Sequence, residues 1–111
     1  MILTCIVEYR NRVDKYLCLE VCADRPEGSR EYRFTNMADI EKLVEISGLD
    51  MHIGPDYYSG YVSIYLVRPD APRSVATATD GEVFLVNVAA QELRAVSRSF
   101  FEQHYKVIGQ I

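Results

Sequence analysis

Asp56-Tyr57-Tyr58-Ser59-Gly60-Tyr61-Val62-Ser63-Ile64-Tyr65-Leu66-Val67 holds four of the chain's eight tyrosines within nine positions. From Gly60 onward the stretch alternates. Side chains of a strand point to opposite faces in turn, so Val62, Ile64 and Leu66 share one face, and Tyr61, Ser63, Tyr65 and Val67 share the other. The aliphatic face belongs in a core. The tyrosine face is either roofed by a second layer or presented to a partner, and that choice governs what the protein can do.

Working outward, residues 49–59 read as a loop containing Gly54-Pro55, and Pro69-Asp70-Ala71-Pro72 as a turn after the tyrosine strand. Upstream, Thr35 or Asn36 can cap a helix with Asp39 in its first turn, and Gly48 can stop it. Met37, Ile40, Leu43, Val44 and Ser47 lie along one side of it. Residues 30–35 alternate charge with Tyr32 and Phe34, a short strand. Downstream, residues 73–79 form a weak strand near an edge. Asp80-Gly81 is a strong signal for a tight hairpin leading into an apolar strand at 82–88. Asn87 is placed to cap a last helix over 89–104 that buries Leu93, Val96, Phe100 and Phe101. The chain then ends in an extended segment.

The first 24 residues predict a hairpin, 2–10 against 16–24. Pairing Tyr9 with Leu17, Val7 with Leu19, Cys5 with Val21 and Leu3 with Ala23 gives one wholly apolar face. That register makes Cys5 a core residue, puts Cys18 opposite Glu8 on the other face, and leaves no two cysteines as neighbours. Three cysteines also exclude a complete disulfide framework, so reduced thiols are expected. The opening apolar run is too short to span a membrane and lacks signal-peptide flanks, which points to a cytoplasmic protein.

These elements give one domain over 1–111 of the α+β class. The expected layout is an antiparallel sheet of about six strands with two helices on one face, in the order βββα-βββα-β.

Net charge is −4. Residues 1–35 and 71–111 are each balanced, whereas residues 36–70 carry Asp39, Glu41, Glu45, Asp50, Asp56 and Asp70 against Lys42 and Arg68. The entire negative surplus therefore surrounds the tyrosine run. Such a field repels phosphate backbones and attracts a basic partner. A base-stacking surface would surround its aromatics with cations, so nucleic acid is not expected. No phosphate-binding glycine loop, nucleophile elbow or zinc spacing occurs, so neither a cofactor nor a metal is expected. His52, between Asp50 and Asp56, is the one conceivable catalytic or small-molecule centre. His104 more simply complements a helix C-terminus.

A late hairpin (residues 77–88), the paired Phe100 and Phe101 of the last helix, and a final apolar strand (residues 107–111) together resemble the small immunity proteins of bacterial polymorphic toxin systems. The resemblance covers the last third of the chain and carries over no site residue. It implies tight binding to a basic toxin domain and occlusion of its active site. Exposed tyrosines flanked by acids suit such a role, since they join contact area to a polar tip and steering charge. Asp50, Asp56, Tyr57, Tyr58, Tyr61 and Tyr65 are thus the expected protein-binding residues, on a protein that is not an enzyme. A phage-encoded inhibitor of a bacterial defence complex would present the same chemistry. A small-molecule-binding domain or small enzyme built on His52 is the reading of another class.

Overall fold

The computed structural model describes residues 1–9, 12–28, 32–55 and 62–111, and is of the mixed α+β kind with antiparallel sheets. Among the described residues there are ten strands in three sheets, more than the six expected, and two helices. Five strands make the main sheet: β1 (Leu3–Tyr9), β2 (Arg12–Glu20), β8 (Glu82–Asn87), β9 (Glu92–Ser97) and β10 (Lys106–Gln110), in the order β10-β1-β2-β8-β9. A second sheet holds β5 (Asp50–Pro55), β6 (Val62–Arg68) and β7 (Ala71–Ala78), with β6 in the middle. The two-residue strands β3 (Ala23–Asp24) and β4 (Arg33–Phe34) pair with each other. The helices are α1 (Met37–Ser47) and α2 (Arg98–His104).

The main sheet is covered on both faces. Leu19 and Phe84 are cross-strand partners and point one way, into a core with Ile40 and Leu43 of α1 and Ile64 and Leu66 of β6. Cys18 and Leu85 are also partners and point the other way, into a second core with Cys5, Tyr16 and Tyr105, against which Phe101 of α2 packs. The helices thus lie on opposite faces, not on one. Val62, Ile64 and Leu66 do form the inward side of their strand, and Ile64 and Leu66 are fully buried.

Coverage on both faces explains the corrected hairpin register. Leu3 pairs with Cys18, Cys5 with Tyr16 and Val7 with Asp14. The pairing is displaced from the expected one by an odd number of residues, which exchanges the faces of β2. Because β2 is apolar on both sides, apolar matching alone did not select the register. Cys5 is buried as expected, but Cys18 lies diagonal to it on the same face. The two are joined as a disulfide with Cα atoms 6.6 Å apart, in place of the reduced thiols expected. Cys22 is free.

Helix α1 ends as its sequence indicates. Gly48 adopts φ 64°, and the Leu49 N–H reaches the Val44 carbonyl at 3.0 Å. Asn36 precedes the helix without capping it through its side chain. Its amide instead bridges the Glu20 carbonyl (2.7 Å) and the Cys22 N–H (3.0 Å).

Asp80-Gly81 makes a turn but not a hairpin. Only Gly81 of the pair has positive φ (83°), whereas a two-residue type I′ loop needs it at both positions. The flanking strands diverge: β7 pairs with β6, and β8 with β2 and β9. The turn is stitched to the segment that follows β2 instead, the Gly81 N–H donating to the Val21 carbonyl and the Ala23 N–H to the Asp80 carboxylate, both at 2.8 Å. The true hairpin is β8–β9. It takes residues 92–97 from the expected last helix, which shrinks to Arg98–His104 with Ser97 as its N-cap (3.2 Å to the Phe100 N–H). Asn87 caps only the connecting turn, through the Ala90 N–H at 3.1 Å. The last segment is a strand, as expected, paired with β1.

Candidate functional site

The second sheet presents one face to the core and one away from it. On the outward face Tyr65 is the cross-strand partner of His52 and of Thr77, and Val67 is the partner of Asp50 and Val75. Residues 50–55 are therefore a strand and not the expected loop. The cause is the β6 edge, which offers a full row of backbone partners from Val62 to Val67. His52 is exposed on that strand, two residues from Asp50, so both point outward together.

Tyr65 is half-buried. Its ring leans along β5 toward Gly54, and its hydroxyl donates to the Pro55 carbonyl at 2.7 Å. That bond fixes the ring across the sheet surface. Val75, 46% exposed, extends the apolar ground beside it. The outward face thus places Asp50 and Tyr65 of the expected set on one surface, with His52 directly opposite Tyr65 and two positions along β5 from Asp50. Asp56, Tyr57, Tyr58 and Tyr61 lie outside the described residues. The neighbouring Ser63 hydroxyl is fully buried and has no partner among the described residues.

The acidic surplus is unevenly engaged. Asp70 holds Arg68 at 2.8 Å, and Asp39 holds the terminal ammonium. Glu41, Glu45 and Asp50 are exposed and make no ion pair with a described residue. These charges stand on α1 and at the start of β5, either side of Gly48-Leu49. Among the described residues no three His, Cys, Asp or Glu side chains gather as a metal centre would require. Among the described residues no helix is long and apolar enough to cross a membrane.

Sequence reading missed a second constellation, on the opposite face of the main sheet. The Tyr16 hydroxyl crosses from β2 to donate to the Glu92 carboxylate on β9 at 2.7 Å. Burial, together with the bonded Glu92 charge, pushes the Tyr16 phenol well above its ordinary value. Tyr105 meets Tyr16 edge-on, with centroids 5.7 Å apart, and stacks on Phe101 at 5.6 Å. No local pattern links residues 76 positions apart. The available signal was Phe-Phe-x-x-His-Tyr at 100–105, together with the Glu-x-Arg of residues 92–94, which share a face only if that segment is a strand.

Against family models, curated proteins and solved structures, the chain finds no match.

Proposed function

We propose that this chain is a non-catalytic protein-binding domain that inhibits its target by covering a basic surface, as an immunity protein covers a toxin's active site. The observation that carries this reading is the outward face of the β5–β6–β7 sheet. There Asp50, His52 and a pinned, half-buried Tyr65 stand on exposed apolar ground, in the segment that holds the chain's whole negative surplus. A flat sheet face with a fixed aromatic ring suits a broad protein contact better than a small substrate. Acids without intramolecular ion pairs have no such pair to break when they meet cations across an interface, and they steer the encounter. A phage-borne inhibitor of a defence complex would use the same contacts, and only the identity of the target separates the two.

The test is capture of partners on the immobilised chain, with wild type and two surface variants run in parallel. Asp56→Ala/Tyr57→Ala/Tyr58→Ala and Asp50→Lys should each keep the wild-type melting temperature. Each should also lose a stoichiometric basic protein, the triple variant by more than about 2 kcal/mol. Retention of that protein by both variants would sink the proposed surface. Stabilisation by a metabolite with no protein retained would favour the small-molecule reading.

We place the protein in the cytoplasm; the Cys5–Cys18 bond, of a kind that compartment ordinarily keeps reduced, is the observation that stands against this placement. Alkylation of thiols at the moment of lysis tests the placement.

A further inference from the structure

We propose that helix α2 is a lid over the Cys5–Cys18 disulfide, and that a small thiol reductant opens this bond at Cys18, through the hollow beneath the lid, while the rest of the fold stays intact. The inference concerns the face of the main sheet away from the proposed partner surface and is independent of that reading.

The bond lies at the open end of the β1–β2 hairpin. Leu3 pairs with Cys18 and Cys5 with Tyr16, whereas the turn lies beyond the Tyr9–Arg12 pair at the other end. Both cysteines are fully buried, but they are not covered alike. Cys18 lines a hollow of about 170 Å³ whose other walls include Leu3 and Val83 of the sheet and Arg98, Phe101 and Glu102 of α2. Cys5 does not line it; it is packed among Tyr16, Leu85 and Tyr105. At about 30 Å³ for each water, the hollow has room for a thiol of a few heavy atoms.

The lid is loosely held. Helix α2 has seven residues, none of them buried. It is tied to the sheet chiefly by the packing of Phe101 and by the Arg98–Glu20 ion pair at 3.5 Å. That pair is largely exposed to water, where it contributes little. An element with so few buried contacts opens at a lower free energy than the whole fold, and opening α2 uncovers the bond from the Cys18 side.

The exchange is then set by geometry. The reductant's thiolate attacks Cys18 Sγ, a new S–S bond forms as the Cys5–Cys18 bond breaks, and Cys5 leaves with the electron pair and takes a proton from water. A second thiol attacks the reductant's sulfur in this mixed disulfide, which frees Cys18 as a thiol and carries both reductant sulfurs away as their own disulfide. The β1–β2 ladder keeps Cys5 beside Cys18, so an oxidant of the disulfide class re-forms the bond by the reverse steps. Cys22 does not compete for Cys18. Burial and the charge of Glu20 push its thiol up, and the protonated form is not the attacking species.

The experiment treats the disulfide-bonded chain with mercaptoethanol at rising urea, quenches by alkylation and maps the cysteines by mass spectrometry. Below the unfolding transition the rate should be nearly independent of urea, because a local opening exposes little surface. The first mixed disulfide should carry mercaptoethanol on Cys18, with Cys5 alkylated. Phe101→Ala should speed this reduction about tenfold, and Arg98→Gln, at an exposed position, about threefold. Val86→Ala weakens the opposite core and should leave the urea-independent rate unchanged. A rate that climbs from the lowest urea with the full unfolding slope, equal acceleration by Val86→Ala and Phe101→Ala, no acceleration by Arg98→Gln, or mercaptoethanol found on Cys5 would overturn the proposal.

Discussion

The two faces of the main sheet are built on different principles. One carries Leu17, Leu19, Phe84, Val86 and Leu93 and is sealed by α1 and the second sheet, so its stability is apolar burial. The other carries Cys5, Tyr16, Cys18 and Leu85 and, among the described residues, is covered by Tyr105 and a seven-residue helix, leaving phenols, carboxylates and a hollow at its end. The first face holds the fold together, whereas the second trades coverage for reachable polar groups. Cys5, Cys18 and Leu85 are fully buried there beneath a short helix that itself has no buried residue, and a disulfide and the Tyr16–Glu92 hydrogen bond supplement the packing.

That contrast can be broken most readily in the sealed core. Phe84→Ala removes a fully buried ring and should cost about 3–5 kcal/mol in a denaturant melt. A loss below about 1 kcal/mol would mean the sealed face is not the principal source of stability. The next effect belongs to the open face. Reducing Cys5–Cys18, which are 13 positions apart, should lower stability by about 3 kcal/mol, the chain-entropy value for a loop of that size. Identical melts with and without reductant would show that the hairpin does not depend on the cross-link. Phe101→Ala, on the half-buried contact of α2, should cost only about 1–2 kcal/mol, well below the Phe84 value. If the two losses are equal, the faces are energetically alike and the contrast fails.

The smallest effect sharpens the polar side. Tyr16→Phe deletes one hydrogen bond to a carboxylate and should cost about 1 kcal/mol near neutral pH. Its signature is in alkali. The folded phenol titrates above its unfolded value near 10, so its contribution is complete below about pH 10. Above that the unfolded state sheds its proton first, and stability falls as pH rises toward the folded value. Wild type should therefore lose stability more steeply above pH 10 than Tyr16→Phe. Parallel curves for the two proteins would show that Tyr16 is not held in its protonated form by the fold.

Local signals were legible where one element decides its own fate. Gly48 stopped α1 because a left-handed residue after a helix favours glycine, and Ile64 and Leu66 pointed inward because strand alternation has only two phases. Signals failed where partners are distant. Leu93, Val96 and Phe100 satisfy helical spacing, yet pairing with β8 converts residues 92–97 to a strand. Asp80-Gly81 correctly marked a turn, but the turn passes the chain from one sheet to the other. Of the expected contact residues, Asp50 and Tyr65 share a surface because β5 pairs with β6, a pairing that the loop reading of 49–59 concealed.

Sequence by itself determined the α+β class, helix α1 with its stop, the inward side of β6 and the location of the acidic surplus. Each follows from a periodicity, a backbone preference or a sum of charges that needs no distant partner. Tertiary structure alone decided the register of β1 and β2, the Cys5–Cys18 bond, the separation of the helices onto two faces, and the meeting of Tyr16 with Glu92. All four depend on β2 lying in the middle of a sheet covered on both sides. There apolar alternation no longer distinguishes one register from the next, and only the sum of long-range contacts does.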